Sequence, residues 1–558
     1  MNVSKLNKST KEQLISSIIE LCDRKILKWE QIEKILDEQL AKGSKIAKVN
    51  PKSRLSQEYV LENMQKSIDI LEKIEEHELI MSAYWYEDYS EGYWSCREVW
   101  EYEDPNGITE MLASIIKFAK ECMDDCWYEE ALSLYDRILD IEIFADDQGD
   151  GVTVELEELV TSGIMKIDLK AMCLNTLYCD YQVREKKDRV EDIHTYFEYS
   201  VFDDIKIQDM FQAGRQQLDE EDAFWEQWIQ YLLVSENNTD SRLLKEAIEF
   251  YYDEKKILAL AEQYYRNHPA LYLCAIEKSV KRRDYQKALQ IGKDAMKKLN
   301  DRWKIRAEIA KIAAECTDDA ETKNYYCYEA FRSDSSLENL LVLFENKDVA
   351  EKYGINCKTI IPTVHSSDAA ECHVQYVEKR CNLVSKHTYN TLLFFGGEFA
   401  TVQSKCKNPP NSLGWSTSYI KEGIYLFLMY LYQGVNMEKE TAIREIASSF
   451  GESLKIEEDR FFELFKKWKQ YYPMENVEKQ DILKWAEKII GKRVDAIVGG
   501  QRRAHYGEVA ALLGAVAEVR ESWGEKGIKQ SICKEYKSKY PRHSAFHGEL
   551  NLYLGCLK

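Results

Sequence analysis

Proline is scarce in this chain, with 8 residues in 558, and none lies between Pro105 and Pro269. Proline breaks helix interiors and marks turns, so its scarcity argues against a fold built from many short elements. Long apolar runs are missing too, because the longest, Ile424–Tyr432, is too short to cross a bilayer. The remaining pattern, with apolar residues three and four positions apart and 31% charged residues, predicts a long series of amphipathic helices.

The 15 cysteines form no C-x-x-C pair, and the sequence starts with polar residues where a secretory leader would be apolar. Disulfide scaffolds are small, cysteine-dense and secreted. We therefore expect a cytoplasmic protein with free thiols and no membrane association.

Motifs of catalysis and cofactor binding are also missing. The chain has no phosphate-binding G-x-x-x-x-G-K-[ST] loop and no G-x-G-x-x-G turn. Gly414–Ser418 resembles a nucleophile elbow but ends in serine, where the elbow requires glycine. These observations predict a protein that is not an enzyme and has no cofactor.

The net charge of −21 is concentrated before residue 400, whereas the segment after it is mildly basic. An acidic body disfavours nucleic acid, whose phosphates require a basic surface, and it favours a basic protein or peptide partner. Nucleic-acid binding through the C-terminal helices remains an alternative, for which a basic face would include Arg493, Arg502, Arg503 and Lys529.

A short motif recurs as YEEAL at Tyr128–Leu132 and YQKAL at Tyr285–Leu289. Its alanines, Ala131 and Ala288, are small where two helices must approach closely, as in tetratricopeptide repeats. We therefore predict an all-α fold with essentially no sheet, in which TPR-like helical hairpins form an α-solenoid or a multi-lobed helical array. The predicted parts are an N-terminal helical region (1–110), helical repeats (111–345), a less regular helical region (346–475) and a C-terminal helical region (476–558).

Residues 83–104 differ from the rest of the chain, because eight of them are Trp or Tyr and seven are acidic. Such a segment forms either the aromatic seam of a helix pair or a surface that binds a basic peptide. The candidate partner-binding residues are Tyr84, Trp85, Tyr93, Trp94, Trp100 and Tyr102.

Metal binding has one specific candidate. Asp146–Glu157 has the spacing of a calcium-binding EF-hand loop, with Asp146, Asp150 and Glu157 at ligand positions and Gly151 at the turn. Gln148 and Val154 depart from the pattern, and an acidic interhelical loop explains the same letters. We predict no bound metal and keep a calcium- or metal-regulated accessory protein as an alternative.

The segments Tyr325–Phe344 and Ala504–Leu550 resemble helix pairs of bacterial helical-repeat proteins that accompany SWIM zinc fingers, and Leu413–Ser416 is similar to a loop of the same family. The resemblance implies a helical accessory region. The finger itself needs C-x-C and C-x-H pairs for four zinc ligands, and neither pair occurs. The expected function is a non-enzymatic scaffold that mediates protein–protein interaction.

Overall fold

The computed structural model describes residues 55–88, 97–147, 150–355, 357–361, 365–367, 376–406, 413–434, 441–454 and 457–555. Residues 1–54 of the predicted N-terminal helical region (1–110) lie outside these ranges. About 70% of the structure is helical, which confirms a mainly helical fold. No helix within the described ranges is long and apolar enough to cross a membrane.

The chain divides into two compact units, Met1–Asp219 and Glu220–Lys558. In the first unit the helices are α1 (Gln57–Glu75), α2 (Ile108–Asp124), α3 (Tyr128–Leu139), α4 (Leu156–Thr161), α5 (Leu169–Val183), α6 (Arg189–Thr195) and α7 (Ile207–Met210). Helices α2 and α3 form a hairpin at the start of the segment predicted as helical repeats (111–345), and Ala131 is fully buried on α3.

The first unit also contains a four-stranded sheet, so the prediction of essentially no sheet is wrong for this part of the chain. Its strands are β1 (Met81–Asp88), β2 (Arg97–Glu103), β3 (Ile143–Asp147) and β4 (Asp150–Val154), in the order β2-β1-β3-β4. The pairs β1–β2 and β3–β4 are antiparallel, and β1 runs parallel to β3. The aromatic segment is therefore a pair of strands and not a helix pair, because Trp, Tyr and Val suit a pleated, half-buried surface.

In the second unit three helical hairpins follow one another. Helix α8 (Glu221–Leu232) precedes them. The first hairpin is α9 (Asn238–Tyr251) with α10 (Glu254–Tyr264), and the second is α11 (Ala270–Lys281) with α12 (Tyr285–Lys298). The third is α13 (Lys304–Glu315) with α14 (Ala320–Ser333). Ala288 is fully buried. A Cβ at Gly292 would lie 2.8 Å from the Cβ of Ala313, so small residues let α12 and α13 approach closely.

The segment Tyr376–Asn382, which contains no α-helix, runs past these hairpins and is called the strap below. Asn238 accepts a hydrogen bond from the Val377 N–H at 2.8 Å, and the Glu378 carboxylate accepts one from the Ala270 N–H at 3.0 Å. The Lys304 N–H donates to the Arg380 carbonyl at 2.9 Å. The strap thus contacts the first residue of α9, α11 and α13. The prediction of a helical region over 346–475 is wrong for this segment, where only Val377–Lys379 forms a short 3₁₀ turn.

The rest of the second unit packs around one apolar core. After α14 come α15 (Leu337–Val342), α16 (Lys347–Val349), α17 (Cys357–Ile360), a parallel pair of β5 (His365–Ser367) with β6 (Leu383–Ser385), α18 (Lys386–Phe395), α19 (Phe399–Lys405), α20 (Ile420–Leu431), α21 (Ala442–Leu454), α22 (Glu458–Lys469), α23 (Asn476–Gly499), α24 (Tyr506–Ser522), α25 (Ile528–Lys539) and α26 (Ser544–Leu554).

The central helix of this core is α24, on which Tyr506 and the eleven consecutive residues Val509–Val519 are buried. The Glu518 carboxylate accepts hydrogen bonds from the N–H groups of Ala442 and Ile443 at 3.2 and 2.8 Å. These bonds satisfy otherwise unpaired donors at the start of α21 and fix this helix against α24.

Candidate partner-binding surface

Strands β1 and β2 form an antiparallel ribbon, which we call the aromatic ribbon (residues 81–88 and 97–103). Its register pairs Ala83 with Tyr102, Tyr84 with Glu101, Trp85 with Trp100, and Tyr86 with Val99. Successive side chains of a strand point to opposite faces. Trp85, Trp100 and Tyr102 therefore share one face, whereas Tyr84, Tyr86 and Glu101 share the other.

The base of the first face is buried. Met81 and Ala83 have almost no exposed surface, and Tyr102 is 8% exposed. The Tyr102 hydroxyl donates a 2.6 Å hydrogen bond to Glu158 Oε1 on α4. Burial, and then this carboxylate, raise the pKa of Tyr102. This end of the ribbon is anchored in the first unit.

The same face becomes exposed farther along the ribbon. Trp100 is half-buried, and its ring lies parallel to that of Tyr102 with centroids 6.5 Å apart. Trp85, which is paired with Trp100, keeps 50% of its surface exposed. The row of Tyr102, Trp100 and Trp85 thus leads from the core to solvent.

The second face combines exposed aromatic rings with carboxylates. Tyr84 is 44% exposed and Tyr86 is 46% exposed, and the Tyr86 hydroxyl donates to Glu101 Oε1 at 3.2 Å. Glu103 is also exposed on this face. Aromatic faces and carboxylates both attract Lys and Arg side chains, so this face suits a basic ligand.

One edge of the ribbon is the outer side of β2. Among the described residues no strand pairs with that side, because β2 ends the strand order. On the other side, β1 pairs with β3 only at Met81 and Ser82. The part of the ribbon that carries Tyr84, Trp85 and Tyr86 is therefore two strands wide.

The structure separates the six predicted partner-binding residues into three groups. Tyr84 and Trp85 are exposed and Trp100 is half-buried, so these three offer surface to a partner. Tyr102 is buried and supports the ribbon instead. Tyr93 and Trp94 lie outside the described residues. Sequence reasoning missed Tyr86, although the alternation of side chains in a strand would have placed it beside Tyr84.

The candidate calcium loop does not have EF-hand geometry. An EF-hand joins two helices through a loop, whereas Ile143–Asp147 and Asp150–Val154 are paired strands in which Asp146 lies opposite Gly151. Glu157 lies on α4 and accepts a hydrogen bond from the Ser200 hydroxyl at 3.0 Å. The helix–loop–helix arrangement on which the calcium alternative depends is absent from this hairpin.

The basic face considered for nucleic acid is divided by internal pairs. Arg493 is 6% exposed, donates to Glu508 Oε1 at 3.0 Å and lies over the Trp415 ring at 5.1 Å. Lys529 lies 3.5 Å from carboxylate oxygens of both Glu518 and Glu521. Only Arg502 and Arg503 of the four are exposed, which is too little charge for a phosphate-binding surface.

An open groove of about 530 Å³ lies between α1 and α2. Its wall mixes polar and apolar side chains, namely Asn63, Lys66, Ser67, Ile70, Asn106, Glu110, Met111, Ser114, Ile115 and Phe118. The Ser114 hydroxyl in this groove donates to the backbone carbonyl of Glu110 at 2.9 Å. Within the described ranges no three His, Cys, Asp or Glu side chains are placed to hold a metal ion.

The thiols differ in one case from the expectation. Ten described cysteines are free, but Cys533 is disulfide-bonded.

Comparison with known proteins adds no identity, because neither a family model nor a curated protein matches this sequence.

Proposed function

We propose that this chain is a non-enzymatic helical scaffold that binds a protein or peptide partner through the aromatic ribbon. The observation that carries the proposal is the exposure of Tyr84, Trp85 and Tyr86, each between 44% and 50%, on three consecutive residues. Tyr and Trp give large contact area at a low entropic cost and are enriched at binding hot spots. A ribbon that presents such rings on both faces is suited to recognition.

The acidity of the ribbon supports a basic partner. Strands β1 and β2 include five carboxylates and one arginine in sequence. Complementary charge mainly speeds association and selects among partners, and its effect weakens as salt is added. We therefore propose that a basic segment of a cytoplasmic protein is the ligand.

The helical part supports the scaffold role. The first helices of the three hairpins begin at Asn238, Ala270 and Lys304, about 33 residues apart, which is close to the ~34-residue period of tetratricopeptide repeats. Stacked hairpins of this kind form α-solenoids that present extended surfaces. We propose a TPR-like repeat array in this segment, consistent with the resemblance of Tyr325–Phe344 to a recurring helix pair.

A capture experiment tests the ribbon with a matched control. Tyr84→Ala and Trp85→Ala remove exposed rings from the ribbon, whereas Tyr285→Ala removes a ring of similar exposure, 48%, from α12. Each tagged variant is used to recover partners from cell extract, with circular dichroism to verify folding. We expect at least about tenfold weaker partner recovery in the two ribbon variants, as for a hot-spot residue, and unchanged recovery with Tyr285→Ala. Undiminished recovery in both folded ribbon variants would contradict the proposal.

A further inference from the structure

We infer that the aromatic ribbon binds its partner as an added β-strand in which basic and apolar side chains alternate. This inference rests on the proposed function and specifies the ligand. It follows from three features of the ribbon. These are the outer edge of β2, with which no described strand pairs, the face that carries Glu101 and Glu103 (the acidic face), and the face that carries Trp85 and Trp100 (the tryptophan face).

The edge provides the backbone interaction. Arg97–Glu103 forms seven residues of strand, and in the part of the chain that the structure describes its outer side has no paired strand. An edge strand presents N–H and C=O groups that pair with another chain, and peptide-binding domains use such edges for strand addition. A ligand strand of about seven residues would match this edge.

The acidic face selects one half of the ligand side chains. Neighbouring strands lie about 4.8 Å apart, and directly opposite side chains interact. Glu101 and Glu103 are exposed on the same face as Tyr84 and Tyr86. Side chains of an added strand on this face would lie beside the two carboxylates, so lysine or arginine is favoured there.

The tryptophan face selects the other half. Trp100 lies on β2 itself and is half-buried, and Trp85 lies next to it with half of its surface exposed. Side chains of an added strand on this face would pack beside Trp100, so a β-branched or aromatic residue is favoured. Because neighbouring residues of a strand alternate between faces, the preferred ligand alternates basic with apolar residues.

Fluorescence anisotropy with short labelled peptides tests this alternation. The probe is a seven-residue peptide of alternating lysine and valine with both termini capped. The control peptide has the same composition and caps, but all its lysines precede all its valines. We expect the alternating peptide to bind at least about tenfold more tightly, since two opposite-charge pairs and the valine contacts depend on alternation. Equal affinity of the two peptides would overturn the inference.

Backbone methylation tests pairing with the edge. Two further lysine–valine peptides carry N-methyl groups on alternate residues, one set on the lysines and the other on the valines. In a strand added to one edge, alternate N–H groups point toward the protein and the others point to solvent. We expect one methylated peptide to lose binding and the other to keep it. Loss in both peptides, or in neither, would contradict strand addition.

Charge reversal connects the binding to the two carboxylates. Glu101→Lys with Glu103→Lys should weaken the lysine–valine peptide and permit binding of a glutamate–valine peptide. Asp69→Lys with Glu72→Lys makes the same change of charge at exposed positions of α1 and should leave both peptides as in the wild type. If the α1 variant changes selectivity as much as the ribbon variant does, long-range charge explains the binding and the inference fails.

These results separate the two levels of the proposal. If partner capture depends on Tyr84 and Trp85 but the alternating peptide and the control peptide with segregated residues bind equally well, strand addition fails and the proposed function stands. If partner capture is independent of both rings, the proposed function fails, whatever the peptides do.

Discussion

The Tyr102 hydroxyl lies 2.6 Å from Glu158 Oε1, and this hydrogen bond joins the aromatic ribbon to α4. Tyr86 makes a bond of the same chemical type to Glu101 at 3.2 Å, but on the exposed face. The ribbon therefore contains one tyrosine–carboxylate hydrogen bond that is partly buried and one that is exposed. Removing each hydroxyl in turn measures how much burial increases the contribution of such a bond to the free energy of unfolding.

We predict that Tyr102→Phe destabilises the first unit by about 1–2 kcal/mol, because it removes a charge-assisted bond and leaves Glu158 without that donor. Tyr86→Phe should cost less than about 0.5 kcal/mol, since water replaces the lost contact at an exposed site. Urea unfolding gives both free energies, and hydrogen exchange of the β2 amides shows where the structure loosens. Equal effects of the two variants would show that the Tyr102 bond does not anchor the ribbon.

We predict that Gly151→Val destabilises the β3–β4 hairpin. An added Cβ at Gly151 would lie 1.8 Å from the ring of Phe144, which in turn contacts His77 with centroids 4.8 Å apart. Overpacking of this kind costs about 1–3 kcal/mol. Gly548→Ala on α26, where nothing lies within 4 Å of the added Cβ, should be neutral or stabilising. A thermal melt of Gly151→Val that matches the wild type would show that the Phe144 ring moves aside freely.

We predict that Ala131→Trp and Ala288→Trp each disrupt a helical hairpin, because both alanines are fully buried. Insertion of an indole into a packed contact costs about 1–3 kcal/mol or more. Ala320→Trp makes the same change at the exposed first residue of α14 and serves as the control. The melting temperatures of the three variants test this prediction. If the melting temperature of Ala320→Trp falls as far as those of the two buried variants, the assignment of close helix contacts at Ala131 and Ala288 is refuted.

We predict that the pH dependence of stability involves a buried carboxyl group on α5. Asp180 is fully buried, and its Oδ2 accepts from Arg184 Nε at 3.0 Å and lies 3.4 Å from the Tyr196 hydroxyl. The pKa of Asp180 is raised from 3.8 to about 6, chiefly by burial; Arg184 opposes this rise, and Asp192 and Asp136 contribute to it. The folded state therefore holds this proton more tightly than the unfolded state. The resulting stabilisation is present below about pH 4 and is lost as pH rises through about 6.

Asp180→Asn removes this titration. As the pH is raised from 4.5 to 7.5, the free energy of unfolding of the variant should increase by about 1–3 kcal/mol relative to that of the wild type. Urea unfolding at each pH measures both free energies. The same substitution at exposed Asp204 controls for protein-wide changes in charge. A difference between Asp180→Asn and wild type that does not vary with pH would mean that Asp180 titrates alike in the folded and unfolded states.

We predict that Glu378→Ala destabilises the second unit more than Lys379→Ala does. Glu378 is 9% exposed and accepts the Ala270 N–H at the start of α11, so its removal leaves a helix donor unpaired at a cost of about 1–2 kcal/mol. Lys379 pairs with exposed Glu236 at 2.6 Å, and such surface pairs contribute about 0–1 kcal/mol. Denaturant unfolding of both variants compares these costs. The reverse order would indicate that the strap is held mainly by its exposed charges.

The helical part of the fold was predictable because its signals are local. The motifs at Tyr128–Leu132 and Tyr285–Leu289 both begin the second helix of a hairpin, as the spacing of Ala131 and Ala288 indicated. A small residue within an apolar stripe of helical spacing indicates a close contact with a neighbouring helix, and this signal can be recognised without knowing the rest of the chain.

The sheet was missed because its signals compete with others. In residues 98–103, EVWEYE, polar and apolar residues alternate only over the four residues Trp100–Glu103, which is the shortest run that indicates a strand. In DDQGDG the acidic residues suggested calcium ligands, although Asp147 and Asp150 are separated by two residues in sequence and are paired across the hairpin. Glycine in a two-residue connection is a hairpin signal, and the EF-hand spacing concealed it.

The strap could not be predicted, because its contacts join distant positions. Val377 and Asn238 are 139 residues apart, and Glu378 and Ala270 are 108 apart. No local pattern records which helix start each strap residue will meet, because these hydrogen-bond partners lie far away in sequence.

These same separations have a consequence for the order of assembly. During synthesis the three hairpins leave the ribosome before residue 376 does, and each can form from local contacts. The strap must wait for all three helix starts to be in place, since distant contacts are formed only after the cost of closing long loops has been met. We expect it to act as a final latch: a chain truncated before Tyr376 would keep its hairpins but leave their ends free to separate.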